Sequence, residues 1–152
     1  MSKILRKSSV LPIGAEELWE EIKYFKSLQY ISYPYAVFES VNGRKDFLWK
    51  KGRTFQLNCK IFNFIPFGVH TIKITDFDSE SLEISSKESN SHVPVWNHKI
   101  YIKPVDSTHT KYMDKVEIDA GWKTTFIYMW AKLFYSHRHR KWKKIIRKNI
   151  RL

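Results

Sequence analysis

Four side chains stand out as able to do chemistry, because alternation within strands places His70, Glu88, His98 and Asp114 on one face. Each lies in a run of period two, and residues that face each other across paired strands share a face of the sheet. A hairpin turning at Asp78 to Glu80 sets Ile74 opposite Ile84, Ile72 opposite Ser86 and His70 opposite Glu88. Continuing with Ile84 opposite Ile100 sets Ser86 opposite His98 and Glu88 opposite Trp96. His98 opposite Asp114 then sends Tyr112, Val116 and Ile118 to the same face. Two polar rows result, each with a His and a carboxylate. Such pairing offsets the cost of burying charge, and a neighbouring carboxylate tunes an imidazole across physiological pH. The pairs could orient a ligand's hydroxyl or carbonyl, exchange a proton as acid and base, or serve as satisfied structural contacts. His98, Asp114, His70 and Glu88 are therefore candidates, with no catalytic role assigned. Their ligand atoms show no local metal-binding spacing, so neither a metal nor a cofactor is expected.

Other reactive groups lead to plainer readings. Cys59 alternates with Leu57 and Ile61 and reads as a small buried hydrophobe. No Gly-x-Ser-x-Gly, phosphate-binding Gly loop or His-Glu-x-x-His occurs. In His137-Arg138-His139-Arg140, residues two apart on a helix point in different directions, so the run reads as surface charge with His137 at the edge of a buried stripe. From Ala120 onward there are ten Lys or Arg and no acid, whereas the first 119 residues hold 17 basic and 15 acidic side chains. Arg138, Arg140, Lys141, Lys143, Lys144, Arg147, Lys148 and Arg151, interleaved with Trp142, Ile145, Ile146 and Ile150, could meet an anionic membrane surface or a polyanion. The same residues could equally form a solvated helix end that complements the dipole.

The elements that must position these groups follow from periodicity and breakers. Lys3 to Leu11 alternates as a first strand. Pro12 and Gly14 end it, and Ala15, Leu18, Trp19 and Ile22 recur at helical spacing, which predicts a helix from Ala15 to about Tyr24. A second helical turn spans Ser27 to Ile31. Tyr35 to Val41, an Asn42-Gly43 turn and Arg44 to Trp49 read as a hairpin. Strands follow at Phe55 to Ile61, His70 to Phe77, Leu82 to Glu88, Val95 to Lys103 and Lys111 to Asp119. After Gly121, about 30 residues lack Pro and Gly. Trp122, Phe126, Trp130, Leu133, Phe134 and His137 form a stripe that continues through Lys141 to Ile145, so a long amphipathic helix needs a sheet to cover it.

Composition bounds the class. A chain of 152 residues with 43% hydrophobic and 16% aromatic content suits one globular domain, taken as residues 1–152. One Cys forms no internal disulfide, and Thr124 to Tyr135 is too short to span a bilayer, so a cytoplasmic location is expected.

This order, together with Pro12-Ile13-Gly14-Ala15-Glu16-Glu17-Leu18-Trp19 and the aromatic terminal helix, resembles the START-like or SRPBCC superfamily, which includes polyketide cyclase-like and Bet v 1-like proteins. The resemblance covers essentially the whole chain. It implies an α+β helix-grip fold: a curved antiparallel sheet of six to seven strands around a long C-terminal helix, with two short helices after the first strand. It also implies a cavity for a hydrophobic small molecule such as a lipid, polyketide or aromatic compound. Its lining is expected from Phe55, Leu57, Ile72, Ile74, Ile84, Trp96, His98, Ile100, Tyr112, Asp114, Phe126 and Trp130. A binding or carrier protein is one reading. A cyclase, dehydratase or hydrolase using a His/carboxylate pair is the second, and a membrane-surface or nucleic-acid binder is the third.

Overall fold

The computed structural model describes residues 2–148. In chain order the elements are β1 (Lys3–Leu11), α1 (Ala15–Ile22), α2 (Phe25–Ser32), β2 (Ala36–Ser40), β3 (Thr54–Ile61), β4 (Ile65–Asp78), β5 (Glu83–Ser89), β6 (Val95–Pro104), β7 (Thr110–Asp119) and α3 (Thr124–Arg147), the last preceded by a 3-10 turn at Gly121–Lys123. The seven strands form one antiparallel sheet in the order β1-β7-β6-β5-β4-β3-β2. This is the helix-grip architecture: the curved sheet carries α3 against its concave face, and α1 and α2 cross between β1 and β2. Alternation sends Leu57 and Cys59 of β3, Ile72 and Ile74 of β4, and Trp96, His98, Ile100 and Ile102 of β6 inward.

The Asn42-Gly43 turn forms, but Arg44 to Trp49 is not a strand. Gly43 sits at φ 78° and its N–H bonds to Ser40 O, yet β2 pairs with β3, as in Ser40 opposite Leu57. Residues 44–49 dock on the helix pair instead. Phe25 N donates to Phe47 O and Trp49 N donates to Lys23 O, both at 2.9 Å, while Asp46 accepts from Lys26 N. Phe47 stacks between Phe25 and Phe55 at centroid distances of 4.6 and 4.8 Å. Buried aromatic stacking thus outweighs the local turn preference.

Two registers differ from expectation by an even number of residues. Ile74 lies opposite Ser86 and Ile72 opposite Glu88: the hairpin turns later than expected, with Asp78 opposite Glu83, and the bulge at Thr75 takes back one residue of that offset, which restores parity. His98 lies opposite Val116 and Asp114 opposite Ile100. A shift of two keeps every side chain on its face, so the polar rows survive as diagonal contacts. The inferred pairings of Ile84 with Ile100, Ser86 with His98 and Glu88 with Trp96 are found unchanged.

The buried stripe of α3 keeps Phe134 and Ile145 of the expected one but is otherwise turned. Trp122, Phe126 and Leu133 are 82%, 69% and 59% exposed. The face toward the sheet carries Ala131, Phe134, Tyr135, Arg138, His139, Trp142 and Ile145, at the three-and-four spacing of one helical face. Arg138 and His139 are therefore core residues and not surface charge. On this face His139 donates to Asp114 of β7, while Phe134, Tyr135 and Trp142 supply the apolar packing.

Candidate functional site

The polar rows of the sheet join into one chain through the core. Asn90 Nδ2 donates to His70 Nδ1 at 3.0 Å, and His70 Nε2 donates to Glu88 Oε1 at 2.8 Å. The other Glu88 oxygen accepts from Ser86 Oγ at 2.6 Å and faces His98 Nδ1 at 3.5 Å. His98 Nε2 donates to Asp114 Oδ1 at 2.6 Å, His139 Nε2 donates to Asp114 Oδ2 at 2.8 Å, and Ser9 Oγ and His139 Nδ1 share a hydrogen bond at 2.7 Å. The sequence put His70 with Glu88 and His98 with Asp114. It missed Asn90, Ser9, Arg138 and His139. Ser9 was legible, since it shares β1 parity with Leu5 and Leu11, and His139 lies a helical turn from Tyr135 and Trp142.

Burial and hydrogen bonding set the charges. Burial alone would raise the Glu88 carboxyl, but hydrogen bonds from His70 and His98 outweigh it and hold the group well below the ordinary carboxylate range. Asp114 behaves alike: burial opposes its charge, and His139, His98 and the nearby Arg138 override it. His98 pays a desolvation cost as a cation, yet Asp114 and Glu88 raise it above the usual imidazole value. Cys59, which lines the cavity described next, has its thiol pushed up to about 12 by burial and stays protonated. The histidine and carboxylate atoms meet in pairs, and among the described residues no group of three or more His, Cys, Asp or Glu is placed to hold a metal ion.

Between sheet and helix lies a cavity of about 360 Å3. Ile72, Ile74, Ile84, Trp96, His98, Ile100, Phe126 and Trp130 line it, joined by Phe38, Phe67, His70, Glu88, Tyr135 and Arg138. Phe55, Leu57, Tyr112 and Asp114 do not. Phe55 belongs to the stack with Phe47, Leu57 is buried in the sheet, and Tyr112 and Asp114 lie behind His139 and Arg138. Exposed Phe126 and Ile65 border the cavity at the surface. Trp96 Nε1 donates to Tyr135 Oη at 3.1 Å, fixing two walls to each other. The aromatic side chains thus leave the interior partly hollow.

The basic C-terminal end is also rearranged. Arg138 leaves the expected polyanion surface for the core, Lys141 is half-buried with its ammonium 4.4 Å from the centroid of Tyr30, and Arg140, Lys143, Lys144, Arg147 and Lys148 remain exposed. Trp142 and Ile145 face the core and are not available to a lipid headgroup layer. Ile150 and Arg151 lie outside the described residues. His137 sits at the edge of the buried stripe and donates from Nε2 to Tyr33 O at 2.7 Å. No helix among the described residues is long and apolar enough to cross a membrane.

Solved structures share this architecture at low identity. A START superfamily protein from Mycobacterium smegmatis superposes with a TM-score of 0.70 at 12% identity, covering 95% of this chain and 97% of that one. Norcoclaurine synthase from Thalictrum flavum, in complex with dopamine and hydroxybenzaldehyde, gives 0.65 at 11% identity, covering 100% of this chain and 90% of that one. The Zhui aromatase/cyclase from a Streptomyces species gives 0.64 at 9% identity, covering 95% and 90%. No curated protein matches. The fold is therefore that of the START-like, or SRPBCC, helix-grip proteins. Within it, residues 9–146 match the family model described as a domain of unknown function, DUF8410, and this chain belongs to that family.

Proposed function

We propose that the protein binds a hydrophobic small molecule, of the lipid, polyketide or aromatic kind, between the sheet and α3. The observation that carries this reading is the cavity of about 360 Å3. Small-molecule pockets run from roughly 300 to 1,000 Å3, with apolar walls and a few placed polar groups. Here Ile72, Ile74, Ile84 and Ile100 supply the walls, and His70, Glu88, His98 and Arg138 gather the polar groups. Burying a ligand's apolar surface there contributes roughly 25 cal/mol per Å2, while the polar groups orient it. The small aromatic molecules in the norcoclaurine synthase complex support the reading by analogy of fold alone.

A second reading, a cyclase or dehydratase, is favoured by one observation: His98 and Glu88 both line the cavity. An imidazolium beside a carboxylate could then protonate or deprotonate a bound carbonyl compound.

One experiment addresses both readings. Native mass spectrometry of the purified protein is expected to reveal a retained lipophilic compound, identified after solvent extraction. Returning that compound to stripped protein should leave it unchanged for a carrier and convert it for an enzyme. A protein that carries nothing, and takes up no lipophilic compound after stripping, would count against both.

A further inference from the structure

The wall of the cavity holds buried donors without acceptors. Trp130 Nε1, Arg138 Nε and Trp142 Nε1 are buried without a hydrogen-bond partner, all on lining residues. No buried side-chain acceptor on a described lining residue is left in that state. Unmet buried donors are costly, so a ligand that supplies acceptors gains from meeting them.

Arg138 is the strongest of these donors. It is only 4% exposed, and its guanidinium lies back along α3 with its carbon 5.6 and 4.9 Å from the ring centroids of Phe134 and Tyr135. Among the described residues it makes no ion pair. The carboxylates nearby are already occupied: Asp114 accepts from His98 and His139, and Glu88 accepts from His70 and Ser86 and faces His98. Tyr112 Oη lies beside Arg138 without a hydrogen bond of ordinary geometry. A guanidinium is a planar fork of five N–H groups that keeps its charge, and its best match is a planar group with two oxygens.

We propose that the ligand is an amphipathic carboxylic acid, its head held by Arg138 and its apolar body lying along Ile84 and Ile100 toward Phe126. This rests on the reading of the cavity as a ligand site. Arg138 and Phe126 both line the cavity and lie about 18 Å apart along α3 at 1.5 Å per residue, which suits a medium- to long-chain acyl group. Arg138 lies near Glu88 from β5, Tyr112 and Asp114 from β7, and Tyr135 from its own helix, while His70 of β4 and His98 of β6 line the same cavity. Two carboxylates in that shell are balanced by the guanidinium and by the imidazolium of His98. As pH rises and His98 gives up its proton, the shell becomes more negative, so the affinity for a carboxylate falls.

The test is displacement of a neutral solvent-sensitive dye, Nile red, from the full chain by dodecanoic acid, 1-dodecanol and dodecylamine, each below its aggregation concentration. At pH 6 the acid is expected to bind about ten- to hundredfold more tightly than the alcohol, the gain of a charge-assisted pair over a neutral contact, with the amine weakest. The acid should weaken toward pH 8 while the alcohol does not. Arg138→Gln should abolish the preference, and Arg138→Lys should keep only part of it. Equal affinity for acid and alcohol in the wild-type protein overturns the proposal even if the variants fail to fold. A preference that survives Arg138→Gln overturns the assignment to Arg138. If neither the dye nor any of the three compounds binds, the reading of the cavity as a ligand site itself fails.

Discussion

His98 holds the position on which the buried charges depend. It lies between two carboxylates, with Nε2 on Asp114 and Nδ1 facing Glu88, whereas His70 and His139 each give one N–H to a single carboxylate. With both nitrogens on carboxylates, His98 donates twice and carries the positive charge there. Its imidazolium and the Arg138 guanidinium oppose the two carboxylates, a condition under which burial is tolerable. Asp114, 1% exposed and not part of the cavity wall, holds this arrangement together. Asp114→Asn removes the charge and turns an acceptor into a donor that meets an imidazole N–H. It is expected to cost about 3–5 kcal/mol, read from urea denaturation. A loss below about 1 kcal/mol would mean that the contacts are no stronger than a surface pair.

At the scale of elements, the join between β7 and α3 aims the helix. Gly121 takes φ 61°, Thr124 Oγ1 donates to Gly121 O at 2.7 Å, and the same oxygen accepts from Ala120 N at 2.9 Å. With these contacts the chain leaves the sheet edge and enters the helix with Thr124 buried. A Cβ at Gly121 would meet nothing within 4 Å, so Gly121→Ala isolates the cost of a left-handed backbone. That cost is about 1–2 kcal/mol, measurable as a lowered thermal midpoint without a change in fold. The segment 44–49 makes the complementary point about locality. Its Asn42-Gly43 turn is a strong hairpin signal, yet Phe47 stacks between nearby Phe55 and Phe25, which is distant in sequence, and the second strand never forms.

For the molecule as a whole, the buried row predicts how stability varies with pH. Glu88 and Asp114 have lowered values, so their contribution is present above the unfolded carboxylate range and is lost as pH falls. His98 has a raised value, so its contribution is complete below the unfolded imidazole value and is lost as pH rises through its folded one. The two limbs leave a plateau between about pH 4.5 and 6.5. The thermal midpoint is expected to be highest there and to decline as pH rises above it. Replacing His98 with Gln should flatten the alkaline decline. An unchanged decline in that variant would assign it to another group.

Much of this molecule was legible because periodicity is local. Alternation and breakers located β1, both short helices, the later strands and a long helix, and parity put His70, Glu88, His98 and Asp114 on the inner face even where the register was off by two. An even slip leaves parity intact, which is why the polar row could be read without its contacts. Three features needed the tertiary structure. The side of α3 that turns inward depends on partners far away in sequence, such as Asp114, which accepts from His139, while Phe126 and Leu133 stay exposed. The fate of residues 44–49 was decided by aromatic partners more than a dozen residues away on one side. The hollow interior was decided by how the aromatic rings pack in three dimensions: a sequence states how much apolar volume it carries, but only the packing shows where that volume leaves a gap.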